Sequence, residues 1–338
     1  MPDVVAVIRL LHPMRSCAYG DTYYQKESVI QEIQRLMCDF LAEMQEGQLN
    51  LKIDGESCVA NFKISLTNDT SRKRIIEWRD WGTCTVSINI DFDKIFQRLK
   101  KNESLDCLET SDLAIDLICS EFKSRIYDLC IAFNLAYPGI FEIAEAEISY
   151  EGYKEYIGNC YSNLLDVYLK NKQNHWADIS VLSVAQVWKW LNTKTNFSYG
   201  VSSSSIERAL NALTYTFNPT QYEDLLYCMI GIESILNSNR SGGVLEQIRE
   251  KCRILFGETI NKKALSNMYN IRSRFIHGEL NFPSKFTLYD ATDEYWEFIA
   301  NDYTKTRDIA MSILVSLIQK YIINNASELV TTLNLTFE

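Results

Sequence analysis

Two hydrophobic periodicities divide this chain, and the switch between them limits what it can fold into. In the first half, Ala60, Phe62, Ile64 and Leu66 alternate with polar residues, as do Cys84, Val86, Ile88 and Ile90. A period of two puts the apolar side chains on one face of an extended strand, which predicts half-buried, antiparallel strands. Val4 to Leu11 reads as another strand, and Ile140 to Ser149 as a further one after Pro138-Gly139. Val29, Ile30, Ile33, Leu36, Met37, Phe40, Leu41 and Met44 recur at three-to-four spacing and predict a helix that Gly47 ends; a second helix is predicted from about Asp112 to Asn134. Residues 1–150 therefore read as an α+β domain.

After Tyr150 no strand-like alternation recurs with any strength. Asn159 to Leu169, Ile179 to Leu191, Ser205 to Phe217, Tyr222 to Leu236, Val244 to Phe256, Asn261 to Ile276 and Asp308 to Ile323 all read as helices. The expectation is an all-α bundle over residues 178–338, with 151–177 as a linker or connecting helix. Ser202 to Ser205 supply the approach and N-cap of one helix, and Asn239-Arg240-Ser241-Gly242-Gly243 an interhelical loop.

At 338 residues and 46% hydrophobic content, the chain can bury one large core or two smaller ones. Met1-Pro2-Asp3 lacks the basic stretch that opens a signal peptide, and the longest apolar candidate, Ile309 to Ile323, is interrupted by Ser312, Ser316, Gln319 and Lys320. A cytoplasmic protein without a membrane span is expected. The ten cysteines are scattered, several of them (Cys38, Cys119, Cys130, Cys228) on apolar helical stripes, which is the pattern of reduced core residues. There is no C-x-x-C pair, and His12, His175 and His277 are the only imidazoles. Neither a zinc site nor a cofactor is expected. Walker-type glycine loops, G-x-S-x-G, H-E-x-x-H and the dinucleotide fingerprint are all missing from the sequence.

A net charge of −10 argues against standing, non-specific nucleic-acid binding. The local balance differs: Arg240 to Gly278 holds eight basic residues (Arg240, Arg249, Lys251, Arg253, Lys262, Lys263, Arg272, Arg274) against Glu246, Glu250 and Glu258. Such an island favours a phosphate-bearing ligand, although each of these residues also fits a solvated helix face.

Inside the island, Arg272 and His277 fall at the end of a predicted helix. Positions five apart leave an ideal helix about 140° from one another. The two therefore converge only if the helix stops near His277, as Gly278 favours. An imidazole there can act as general acid or base while a guanidinium holds a phosphate oxygen. The plainer reading is that His277 caps the helix by bonding a carbonyl. Glu233 shares a helical row with Leu226 and Ile230, and sits either inside the bundle to pair with Arg272 or at its rim. Tyr269 stacks on a base or packs in the core. Trp188 reads as core, with Trp190 on a different face. His12 has no partner in view, and His175 lies in a polar stretch.

Tyr269-Asn270-Ile271-Arg272-Ser273-Arg274-Phe275-Ile276-His277-Gly278 resembles the Y-x-x-R-S-x-x-V-H-G signature of HEPN domains of the Apea-like group. Gln186 to Leu191 resembles that group's tryptophan-containing helix, Ser205 to Leu213 the next helix, and Met229 to Leu236 its alanine-leucine-glutamate helix. The resemblance covers roughly residues 178–325. It implies a HEPN-like helical bundle and a dimeric, metal-independent RNA endonuclease, of a kind many of whose members act in antiviral defence or as toxins. Arg272 and His277 would be the catalytic pair, with Ser273, Arg274, Glu233 and Tyr269 in support. Directly after the arginine such nucleases often carry Asn, Asp or His; Ser273 is ordinary for the Apea-like group.

The chemistry that fits is internal transesterification. A base takes the proton of a ribose 2′-hydroxyl, the oxygen attacks the adjacent phosphorus, and an acid protonates the departing 5′-oxygen. Arg272, with Arg274, would stabilise charge on the non-bridging oxygens. One chain supplies one such histidine, whereas the reaction prefers a separate acid and base, so a two-fold dimer is expected. The acidic N-terminal half is then a regulatory or sensor element through which a trigger or inhibitor acts. Two readings stand beside the nuclease: a non-catalytic module that binds a nucleotide or RNA, and an interaction protein whose motif only ends a helix.

Overall fold

The alternating segments pair as strands of one sheet. The computed structural model describes residues 3–11, 13, 26–66, 80–102, 107–174, 176–197, 201–218, 223–237, 243–257, 260, 262–280 and 303–329, so His12, His175, Arg240 and Glu258 lie outside the described residues. The chain divides into two compact units, Met1–Ser162 and Asn163–Glu338. Among the described residues it is a mixed α/β protein with a six-stranded antiparallel sheet and ten helices.

In the first unit β1 (Asp3–Leu11), β2 (Glu46–Ile53), β3 (Glu56–Leu66), β4 (Asp80–Asn89), β5 (Ile143–Tyr150) and β6 (Tyr153–Ile157) lie in the order β2-β3-β4-β1-β5-β6. Val4, Ala6, Ile8 and Leu10 of central β1 are buried, as are Ala60, Phe62 and Ile64 of β3 and Cys84, Val86 and Ile88 of β4. Helices α1 (Glu27–Met44) and α3 (Cys107–Ala136) pack on the sheet, and α2 (Phe92–Asn102) packs on α3. α1 contributes the buried stripe Val29, Ile33, Leu36, Phe40 and Met44. Phe40, Phe133 and Phe141 meet edge to face, with centroids 5.7, 6.1 and 4.7 Å apart, at the centre of this core. Buried Asn134 closes the turn from α3 into β5: its Nδ2 donates to Cys130 O (2.8 Å) and Phe141 O (2.5 Å), and its Oδ1 accepts from Gly139 N (3.1 Å).

Three expectations need correction here. The first helix stops at Met44, and Gly47 lies inside β2. A Cβ at Gly47 would come within 2.6 Å of the Phe62 ring, so the glycine serves strand packing and not helix termination. Strand structure also recurs after Tyr150. β6 pairs with β5 across Glu151-Gly152, both at positive φ (42° and 91°), a geometry that two-residue hairpin turns require. The first unit accordingly runs to Ser162 and not to residue 150.

The second unit comprises α4 (Leu164–Asn174), α5 (Val184–Lys194), α6 (Ser205–Thr214), α7 (Glu223–Leu236), α8 (Val244–Phe256), α9 (Lys262–Ile276) and α10 (Thr304–Ile323). Several boundaries differ from expectation: α4 runs from Leu164 to Asn174 in place of Asn159 to Leu169, α5 starts at Val184 in place of Ile179, α6 ends at Thr214 in place of Phe217, and α10 starts at Thr304 in place of Asp308. α10 touches α4, α5, α6, α7 and α9 and is buried along most of its length, its polar row Asp308, Ser312, Ser316 and Gln319 included. α7 approaches it closely at Gly231, where a Cβ would lie 2.7 Å from Leu314 Cδ1. Trp188 and Trp190 are both core residues, and Trp190 Nε1 donates to Ala326 O at 2.8 Å. Ser204 caps α6 in a reciprocal box with Glu207. No helix among the described residues is long and apolar enough to cross a membrane.

Charge is buried here as well. Asp308, 1% exposed, pairs with Lys170 Nζ at 2.9 Å and Arg307 Nη2 at 2.7 Å. Asp224, in the first turn of α7, is fully buried, and neither carboxylate oxygen has a hydrogen-bond partner among the described residues.

Candidate active site

Helix α9 carries the motif. Leu265, Met268 and Ile271 are its buried stripe, and the helix ends at Ile276 through backbone bonds alone. His277 N–H donates to Ser273 O (3.0 Å), Gly278 N–H to Phe275 O (3.2 Å) and Glu279 N–H to Arg274 O (2.8 Å), with Gly278 at φ +70°. The last two bonds, with the glycine in the left-handed region, are a Schellman closure. The terminal carbonyls are thus met without the imidazole. His277 is exposed, and no hydrogen bond or ion pair among the described residues engages its ring.

Arg272 turns the other way, into the contact between α9 and α7. Its Nη2 donates to Glu233 Oε2 at 3.3 Å, with side chains 25% and 18% exposed, and the Tyr269 ring centroid lies 5.9 Å from the guanidinium carbon. Both outcomes of the helical-row argument are met in part: Glu233 pairs with Arg272, and it does so half-buried. Arg272 Nε and Glu233 Oε1 are buried without hydrogen-bond partners among the described residues. A single long bond therefore holds a pair that two parallel bonds could hold, which leaves the guanidinium under-coordinated. Burial pushes the Glu233 carboxyl above its usual range, and the Arg272 charge opposes that only in part.

His277 still makes the i to i−4 backbone bond, so it leaves the helix about 140° from Arg272. No hydrogen bond between the His277 ring and the Arg272 guanidinium is formed among the described residues. Ser273 and Arg274 side chains lie half-buried between the two, with no hydrogen bond or ion pair among the described residues.

The basic island has two kinds of member. Lys251 Nζ donates to Leu236 O (2.6 Å), closing the end of α7. Arg249 ties α8 to α9 through Ser266 Oγ (2.7 Å) and reaches Glu246 at 3.2 Å. These hold helices together, a role their spacing does not signal because the partners come from other helices. Arg253, Lys262 and Lys263 are exposed. No cluster of three or more His, Cys, Asp or Glu among the described residues could hold a metal ion. No family model, curated protein or solved structure matches this chain.

Proposed function

We propose that the chain is a metal-independent RNA endonuclease of HEPN type, built on an N-terminal α+β unit and a HEPN-like helical bundle, with Arg272 and His277 as its catalytic pair. The observation that carries the reading is the end of α9: the motif's imidazole is left outside the cap and exposed, while its guanidinium is held half-buried by Glu233. Arg272 receives the scissile phosphate, whose oxygens give the guanidinium the acceptors that Glu233 leaves unmet. Tyr269 and Arg274 flank that phosphate. His277 moves the proton at the 2′-hydroxyl or at the departing 5′-oxygen.

Positions five apart on an ideal helix lie about 140° round from one another, which supports a homodimer in which the His277 of one copy completes the site around Arg272 of the other. Cytoplasmic action in antiviral defence or as a toxin follows from the resemblance, and the N-terminal unit serves as the sensor that restrains the site.

Labelled RNA incubated with the purified protein in EDTA tests this. Cleavage leaving 2′,3′-cyclic phosphate ends, and lost in both Arg272→Ala and His277→Ala, is the expected result. A second reading has its own observation. Glu233 already neutralises Arg272, as suits a module that binds a nucleotide or RNA without turnover; saturable RNA binding with no cleavage by the dimeric protein would select it.

A further inference from the structure

Between α4 and α5 the chain runs as a short strap over residues 176–180, and buried side chains pin it at successive positions. Asn171 Oδ1 accepts from the N–H groups of Trp176 (3.0 Å) and Ala177 (3.1 Å), and its Nδ2 donates to Ala177 O. Ser316 Oγ donates to Asp178 O at 2.6 Å. Gln319 accepts from Ser180 N and donates to Ser180 O, both at 2.8 Å. Asn171, Ser316 and Gln319 are 5%, 0% and 1% exposed, so the strap is fixed from its buried side. A cavity of about 560 Å³ opens beside it, lined by Trp176, Asp178, Ile179, Phe256, Lys172 and Lys320. That volume is in the range of small-molecule sites.

Each lysine is held against a ring. Lys320 Nζ lies 5.2 Å from the Phe256 centroid and Lys172 Nζ 5.6 Å from that of Tyr168. Both fall in the last turns of their helices, where a cation also answers the carbonyl end. That duty requires neither the cavity nor the pinned strap. Two lysines and one aspartate among the lining residues favour an anion, and a tryptophan and a phenylalanine among them favour a flat heteroaromatic group.

We infer that this cavity is a binding site for a free nucleotide. The base lies against Trp176 and Phe256, the phosphate between Lys172 and Lys320, and Asp178 accepts a hydrogen bond from an exocyclic amine or ribose hydroxyl. The site shares no residue with the Arg272 region and does not depend on the nuclease reading.

Calorimetric titration of the full chain with AMP, GMP, CMP and UMP tests it, with adenosine and inorganic phosphate as half-ligands. At least one nucleotide should bind saturably, and more than tenfold tighter than either half. Trp176→Ala and Lys320→Glu should each weaken it about tenfold or more, with the melting temperature lowered by a few degrees at most, while Arg272→Ala binds like the parent. If Trp176→Ala fails to fold, Lys172→Ala with Lys320→Glu carries the test. Absence of binding by all four nucleotides, binding that survives these substitutions, or binding abolished by Arg272→Ala would each overturn the assignment.

Discussion

Helix α7 carries Asp224 beside Glu223 in its first turn and Glu233 in its third, and Asp224 and Glu233 have opposite surroundings. Asp224 is fully buried with neither oxygen hydrogen-bonded among the described residues, near Arg307 and Asp308. Glu233 is half-buried, bonded to Arg272 on α9, with solvent at hand. Burial pushes both carboxyls up, Asp224 to about 6. Depth separates them. The first belongs to a charge cluster sealed into the fold, and the second lies where a ligand can reach its partner. Access, and not residue type, distinguishes the two ends of α7.

The sharpest way to break this comparison is to remove one group from each region and read both activity and stability. His277→Ala should lower RNA cleavage by ~10²–10⁴-fold, the usual contribution of a general acid or base. Its stability should stay within about 0.5 kcal/mol, since the ring is exposed and the cap is backbone. Asp308→Ala should do the reverse: it strands Lys170 and Arg307, and a broken buried pair costs on the order of 3–5 kcal/mol. Chemical denaturation and initial cleavage rates on both variants check the pair of outcomes. A large stability loss in His277→Ala would mean that the imidazole is structural.

The pH dependence of stability sharpens the contrast inside the helical unit. Asp224 has its folded-state value raised from 3.8 to about 6, so the folded protein binds this proton more readily than the unfolded chain. Its stabilising effect is complete below about pH 4 and is lost as pH rises through 6. Asp224→Asn should therefore flatten the profile and stabilise the protein at pH 8 by about 1–3 kcal/mol. Glu207 behaves in the opposite sense. Burial pushes its carboxyl up, but hydrogen bonds from Asn196 N, Ser203 N, Ser203 Oγ and Ser204 N outweigh that and hold it at about 2. Its contribution is complete above about pH 4.5 and is lost on further acidification toward 2; Glu207→Gln should cost about 1–3 kcal/mol near pH 7 and little at pH 2. Melting curves across pH 2–8 should show stability rising as pH falls through 6 and falling again below 4.5.

How much of this was legible in the sequence depends on where the deciding contacts come from. Alternation in β3 and β4 and the stripe of α1 are local patterns, and they form as read. β6 is a five-residue strand whose pairing is set by its neighbour β5, so it left no periodic signal. Residues 179–183 read as helix from apolar spacing, yet Gln319, 139 residues beyond Ser180, holds that backbone in the strap instead. At the site, the Arg272 to His277 spacing was readable because it lies on one helix, whereas the row of Glu233 left its pairing with Arg272 open, because that bond joins two helices.

The smallest predicted effect tests the end of α9. Gly278 sits at φ +70°, and a Cβ at this position would have nothing within 4 Å, so a side chain there meets no steric obstacle beyond the backbone itself. Gly278→Ala should cost only the left-handed backbone penalty, about 1 kcal/mol, and Gly278→Asn should recover part of it because asparagine tolerates that region. Both leave Arg272 and Glu233 untouched. If the Schellman closure positions the imidazole, cleavage should fall with Gly278→Ala and partly return with Gly278→Asn, while the melting temperature moves by a few degrees. If cleavage is the same in all three proteins, the end of α9 stabilises the helix without setting the direction of His277, and the catalytic geometry is set by the partner copy.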